Sequence, residues 1–373
     1  MNHRNCIARV IAGLVALGVS MVPGTSRALP LEYVTPAEQP KPENAGWMGT
    51  IRLGANINFM HNKDVVGQDN GQAWTMGANI EGAITHYRNG HDWRNTLSIL
   101  ESFTYGPPIN QFMKTSDRLL FESLYYYHPT SIPWLGPFGR FVLDTQIFEG
   151  ADVRANDNLY QVIGEADPLS STPSRRFKTT ESFKPLTLKE SVGVFARPVG
   201  REEVEIMIRL GIGSHQVFAD GQFAVKDDAA TVGTIEVMRL HDYVQVGTEA
   251  ALVIQGAFYG NKVSYKAYLE TLIPFYRTKE TGDTRTDVSL TNVEAGALLS
   301  FKLVDWASVD YSFKALRQPQ LVDKWQFQNM LLLTFAYAKE GSLEAPPSPP
   351  PPPPPPLEPD AAELEGEPAP AAL

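Results

Sequence analysis

The stretch that decides the fold is Trp47 to Phe59, W-M-G-T-I-R-L-G-A-N-I-N-F. Ile51, Leu53, Ala55, Ile57 and Phe59 fall on one face of an extended chain, and Arg52, Gly54, Asn56 and Asn58 on the other. Strict period-two alternation over that span gives a strand with one apolar and one polar face, long enough to cross a bilayer at roughly 9–11 residues.

The same pattern recurs along the chain. Further strands are expected at 74–87, 93–105, 117–127, 138–148, 186–196, 203–213, 244–258, 263–275, 293–303, 306–316 and 327–337. In the seventh, Val204, Ile206, Ile208, Leu210 and Ile212 oppose Glu205, Met207, Arg209 and Gly211. Asn89-Gly90 carries the strongest short hairpin signal, and Gly260-Asn261 a second. In the third strand Glu101 shares a face with Leu97, Ile99 and Phe103, a conflict in the pattern because a carboxylate facing lipid is unfavourable.

With strand one running outward, the odd-numbered connections are expected to be long and the even-numbered ones short. Residues 61–72, 106–116, 149–185, 214–240 and 276–287 are the polar excursions, and 149–185 holds a basic-aromatic run, Arg175-Arg176-Phe177-Lys178. Aromatic residues gather near strand ends, as membrane-interface girdles do (Trp47, Trp74, Tyr87, Trp93, Trp306, Tyr337). Even strand number, long-short rhythm and girdles together predict an all-β fold: a transmembrane antiparallel up-and-down β-barrel of about twelve strands over 47–339. A soluble β-sandwich also alternates, but its strands are usually about five or six residues.

Composition agrees. The chain has 373 residues, 43% of them hydrophobic, and a formal net charge of −10, which argues against nucleic-acid binding. Arg4 and Arg9, an apolar Val10–Val22 and Ser26-Arg27-Ala28 read as a signal peptide over 1–28, cleaved after Ala28. That would remove the single cysteine, Cys6. Residues 29–46 read as a proline-bearing periplasmic linker. The tail, 340–373, carries eight consecutive prolines at 349–356 and seven acids with no base. It is expected to be disordered apart from a polyproline II rod of roughly 25 Å.

The water-facing positions of the predicted strands make up the candidate lumen: Arg52, Glu81, Arg140, Asp144, Glu205, Arg209, Glu249, Lys266, Glu270, Glu294, Lys302, Asp310 and Lys314, with Glu122 also on that face. They would line a narrow pore or pack as an internal charge network. No catalytic residue, cofactor or metal site is assigned. His215, His241 and Asp242 lie near the ends of neighbouring strands but make an incomplete ligand set. Asp64 and Asp69 sit in a loop that matches no defined calcium spacing.

Two short runs resemble a known group. Trp93-Arg94-Asn95-Thr96-Leu97 after Asn89-Gly90, and Lys114-Thr115-Ser116-Asp117-Arg118 after Phe103-Thr104-Tyr105-Gly106, resemble an uncharacterised family of Gram-negative outer-membrane barrels with a domain of unknown function. The likeness covers 47–340 in outline and implies a barrel with no established activity. The last strand, with Phe335-x-Tyr337, is similar to the C-terminal recognition strand of outer-membrane proteins, although Leu332 stands where glycine is frequent and the chain continues beyond it. Thr85-His86-Tyr87-Arg88-Asn89-Gly90 is faintly similar to the His-x-Ser-Asn-Gly run of outer-membrane phospholipase, with Arg88 in the serine's place. The nucleophile is therefore missing.

The expected function is a porin-like passive channel for small polar solutes in the outer membrane, with both termini periplasmic. The alternative is a structural or assembly barrel whose acidic tail docks a periplasmic protein or the cell wall. A lipid-modifying enzyme is the weakest reading. Expected partners are outer-membrane lipid and, during insertion, the barrel-assembly machinery.

Overall fold

The structure is a computed structural model. It describes residues 46–62, 71–107, 109–165, 169, 172–226, 231, 233–278, 284–304 and 306–342, without the side chains of 56–62, 71, 322, 324, 328–332, 334 and 336–342. The expected signal peptide, almost all of the linker, the Asp64/Asp69 loop and the proline-rich tail from 343 lie outside the described residues.

Twelve strands form one closed antiparallel wall: β1 (Gly46–Asn62), β2 (Gly71–Arg88), β3 (His91–Gly106), β4 (Gln111–Tyr127), β5 (Leu135–Thr145), β8 (Leu186–Gly200), β9 (Glu205–Phe218), β12 (Tyr243–Phe258), β13 (Val263–Arg277), β14 (Asn292–Val304), β15 (Ala307–Gln318) and β16 (Val322–Ser342). Each of the twelve predicted strands has its counterpart. Closure comes from β1 pairing β16, Met48 opposite Ser342 through Ala55 opposite Phe335. β16 thus reaches Ser342, three residues into the span expected to be tail. No helix of the described residues is long and apolar enough to cross a membrane.

The alternation read from sequence becomes an inside and an outside. On β9, Ile208, Leu210 and Ile212 are 45%, 53% and 58% exposed, whereas the intervening Met207 and Arg209 are 7% and 5% exposed. The same division holds on β1 and β2, where Ile51, Leu53, Met76, Ile80 and Ile84 are exposed and Glu81 is buried. Leaving one such aliphatic side chain in water costs roughly 1.5–3 kcal/mol, so a belt of them around the wall faces lipid. At one end of the wall the belt is edged by aromatics: Trp47 lies against His86 and Trp93, with ring centroids 4.6 and 5.8 Å apart. On β14–β16, Trp306 stacks on Phe335 at 6.0 Å.

The connections correct part of the expected rhythm. Residues 89–90, 201–204 and 259–262 are tight turns at one end, and both described chain ends lie there too. In the first of these turns Asn89 and Gly90 have φ of 52° and 80°. A Cβ at Gly90 would also strike the His128 carbonyl oxygen. At the opposite end the connections at 146–185, 219–242 and 278–291 are long. Those at 107–110 and 319–321 are not, because β4 begins at Gln111 and β16 at Val322, each several residues earlier than expected. Asn110, at φ 53°, turns the chain at once and sends its N–H back to Gly106 O at 2.9 Å.

The two longest excursions are not separate loops. The first contains β6 (Gly150–Val162) and β7 (Ser174–Thr180), the second β10 (Phe223–Val225) and β11 (Thr234–Arg239). They join in one sheet of order β10-β11-β6-β7, with β11 parallel to β6. Its core is Tyr160, Val162, Ile235 and Val237. Phe177 stacks on Tyr160 at 4.3 Å and meets Phe223 edge-on at 5.5 Å. Gln222, 2% exposed, ties the excursions together by accepting the Glu181 N–H at 2.6 Å.

Candidate functional site

Because successive strand residues alternate faces, the barrel interior collects every second residue, and these fill it in three levels. At the short-turn end the filling is aromatic. Tyr126, Phe138, Phe195 and Met207 form a buried cluster projecting from β4, β5, β8 and β9. Arg94 lies over the Tyr126 ring and Arg209 over the Phe138 ring, each 5.8 Å from the centroid. Arg94 also forms a bidentate bridge to Asp92 at 2.9 and 2.5 Å. His128, in the turn below, donates Nδ1–H to the Pro133 carbonyl at 2.8 Å and packs on Phe195. Burial holds the His128 pKa below its usual value, outweighing the Pro133 carbonyl and Asp92, which pull it upward.

The middle level is a network of ion pairs. Arg140 of β5 reaches Glu122 of the neighbouring β4 at 2.5 Å. It also reaches Glu270 of β13 at 3.0 Å, four positions round the wall. Glu270 takes a second guanidinium, Arg209, at 2.9 Å. Lys189 of β8 bridges to Glu294 of β14 at 3.0 Å, again four positions away, and Lys314 reaches the same carboxylate at 2.8 Å. Arg118 grips Asp144 with two hydrogen bonds of 2.8 and 2.6 Å. These bridges cross the lumen as chords. In a low dielectric such charges are tolerable only when paired, and here each of these carboxylates has a cation.

At the long-connection end the filling turns neutral. Asn292 donates from Nδ2 to His215 Nδ1 at 2.9 Å and to Gln245 Oε1 at 2.6 Å. Gln245 Nε2 meets Gln320 Oε1 at 2.9 Å, and Gln320 Nε2 ends on the Thr278 carbonyl at 2.7 Å. Above them Leu290, wholly buried, and the cluster of Val217, Ala219, Leu240 and Tyr243 close this mouth.

Most of the predicted lumen set is thus brought together. Arg140, Asp144, Arg209, Glu270, Glu294 and Lys314 belong to the central network. Glu205 accepts Gln255 Nε2 at 2.7 Å near the short-turn end, and Arg197 approaches it at 3.8 Å. Arg52 and Glu81 form a looser pair of their own at 3.7 Å. Asp310 is bonded to Ser300 and to Ser308. Lys266 lies 5.9 Å from the Tyr268 ring. Glu249 is buried beside the network, with its Oε1 making no hydrogen bond among the described residues. Lys302 is exposed where β14 leaves the wall, outside the buried set. Arg94, Arg118 and Lys189 also belong to the interior, outside the predicted lumen set. Parity would have found them, since Arg118 alternates with Leu119 and Lys189 shares a face with Ser191 and Phe195.

Glu101 keeps its conflicting outward parity, and the structure shows how. It lies opposite Asp117 beside a bulge at Ser102/Phe103. Asp117 accepts the N–H groups of Ile147 and Phe148 at 2.7 and 2.9 Å and pairs with Lys114 at 2.5 Å. The carboxyl pair is therefore roofed by the chain leaving β5. His215 and His241 do not converge: His215 is inside the barrel, whereas His241 is exposed beside Asp220 at 3.9 Å. Asp242 instead caps the N–H groups of Ala219 and Asp220. No cluster of metal-ligating side chains exists among the described residues.

No family model matches the chain and no curated protein matches its sequence, so the runs at 93–97 and 114–118 assign it to no family. Among solved structures it is similar to the translocator domain of the autotransporter NalP from Neisseria meningitidis, at 10% identity and a TM-score of 0.34, covering 80% of this chain and 89% of that one. It is also similar to an outer membrane channel from Pseudomonas putida F1, at 7% identity and a TM-score of 0.36, covering 83% and 100%. A third is a mutant of the TodX monoaromatic hydrocarbon channel, at 9% identity and a TM-score of 0.33, covering 85% and 96%. At such scores no role of these proteins is carried over. The closed twelve-stranded wall, its apolar outside and its charged inside are those of an outer-membrane β-barrel.

Proposed function

We propose that this barrel is a gated, narrow channel for small polar solutes rather than an open porin. The observation that carries the reading is the pair of chords Arg140–Glu270 and Lys189–Glu294. They tie strands four positions apart, so the lumen is shut while they hold. A barrel needing only an inert filling has no use for so many ion pairs, because buried pairs gain little over well-packed apolar groups. Ionisable groups at membrane depth more commonly mark a solute or ion path.

The orientation that fits this reading puts the short-turn end in the periplasm of a Gram-negative cell, with both termini there. The four-stranded sheet then faces outward. Outer-membrane lipid surrounds the apolar belt, and the barrel-assembly machinery inserts it. We assign no catalytic role: His86, the one residue that suggested a lipase, is packed against Trp47, and Arg88 stands in the nucleophile's place.

Planar-bilayer recordings test the proposal. The wild type is expected to conduct in rare, small steps, and Glu270→Gln to open far more frequently. Silence from both, with folded barrels confirmed, would leave the second reading. That reading is a sealed anchor presenting the external sheet on one side and the acidic tail to a periplasmic partner on the other. It is favoured by the sheet having a core of its own.

A further inference from the structure

A small chamber remains between the charge network and the amide chain, about 30 Å³ in volume and bordered by Lys189, His215, Glu249, Glu270, Asn292 and Glu294. That is room for about two water molecules. Three of its side chains carry buried polar atoms with no partner: His215 Nε2, Glu249 Oε1 and Asn292 Oδ1. Their residues are only 4%, 9% and 7% exposed. Polar atoms at such depth are rarely left without a partner because desolvation is costly, so three around one space point to something that bonds them.

The hydrogen-bond chain sets what each orphan offers. It is anchored at two backbone carbonyls, which only accept. Gln320 Nε2 donates to Thr278 O, so Gln320 Oε1 faces Gln245 and accepts from its Nε2, which also approaches Leu290 O at 3.4 Å. Gln245 Oε1 must then accept from Asn292 Nδ2. The same Nδ2 donates to His215 Nδ1, which places the proton of a neutral imidazole on Nε2. The unpartnered atoms of the chamber are therefore one donor, His215 Nε2–H, and two acceptors, Asn292 Oδ1 and Glu249 Oε1. Gly213 leaves room for the Glu249 carboxylate: a Cβ there would come within 2.6 Å of Glu249 Oε2.

From this arrangement we infer that the chamber is the selecting station of the channel, taking small neutral groups that both donate and accept hydrogen bonds. Water in the resting barrel, and the hydroxyl or carboxamide end of a permeating solute, satisfy all three orphans. A bare cation would meet the His215 donor and the Lys189 ammonium, while the Glu270 and Glu294 carboxylates are already engaged by Arg140, Arg209, Lys189 and Lys314. A free anion would meet Glu249. The inference rests on the gated-channel reading and names its solute class.

The test uses the full chain in two settings. First, ¹⁵N spectra of the histidine-labelled barrel are expected to show His215 neutral, protonated on Nε2, with that proton in contact with water. Protonation on Nδ1, or no contact with water, overturns the assignment. Second, liposomes carrying the Glu270→Gln barrel are expected to swell in glycerol and acetamide but to pass potassium chloride poorly. Adding Asn292→Leu should slow glycerol and acetamide entry roughly tenfold, the worth of one buried hydrogen bond of about 1.4 kcal/mol. Equal entry with and without Asn292→Leu overturns the station while leaving the channel standing. Liposomes closed to every solute, with the barrel folded by heat-modifiable migration, overturn the channel reading itself.

Discussion

Glu270 holds two arginines from different strands, and its loss should be felt beyond its own contacts. Glu270→Gln leaves the Arg140 and Arg209 guanidiniums buried beside an uncharged group, an expected loss of about 3–5 kcal/mol in urea unfolding from lipid vesicles. On the outer face the sign of tolerance reverses. Leu210→Arg puts a charge into the lipid belt and should destabilise the barrel by about 2–4 kcal/mol, whereas Leu210→Ile should be nearly silent. His128 makes the pH response readable. Its folded pKa lies below the unfolded value, so the unfolded chain takes up the proton first on acidification. Its contribution is therefore complete above about pH 6.5 and declines as pH falls from there toward the folded pKa. His128→Gln should flatten that part of the stability profile; an unchanged slope would show that another group governs it. At this scale the sequence is informative about which way a side chain faces and silent about its partner. Arg140 reads as inward from its neighbours Phe141 and Gly139, but nothing near it announces Glu270, which is 130 residues away.

Among the elements, the twelve wall strands and the four external ones behave differently because they are encoded differently. Each wall strand is long and alternates, so its own residues specify it, and antiparallel hairpins pair it with the next strand in sequence. Three of the four external strands are short, and the fourth, β6, takes β11 as a parallel partner across some seventy intervening residues. Parity within a strand cannot encode so distant a partner. That is why 149–185 and 214–240 read as unrelated excursions. The sheet has its own core, which makes it separable from the wall. Phe177→Ala, which removes the ring stacked on Tyr160, should loosen the sheet by about 2–3 kcal/mol. Limited proteolysis is expected to cut near 163–173 sooner than in the wild type, while the barrel keeps its heat-modifiable migration. Loss of that migration would mean the wall depends on the sheet.

At the scale of the whole molecule the decisive event is closure. The opening stretch, 47–59, has its apolar face determined by its own alternation, but an isolated strand of this kind would present an unsatisfied edge. Pairing of 48–55 with 335–342 removes that edge and joins the two ends of the sheet. Once the wall is closed, its inward residues have no water to face except what the lumen retains. The charges read as a pore lining therefore had to find one another across it. The sequence by itself determined the number of wall strands and which way the residues of the clearly alternating ones face, because period-two alternation and turn residues are local. Only the tertiary structure decided that ion pairs join distant strands across the lumen, that two excursions form one sheet, and that His215, Glu249 and Asn292 share a chamber. Those depend on contacts between residues far apart in the chain, and such contacts leave no periodic trace in it.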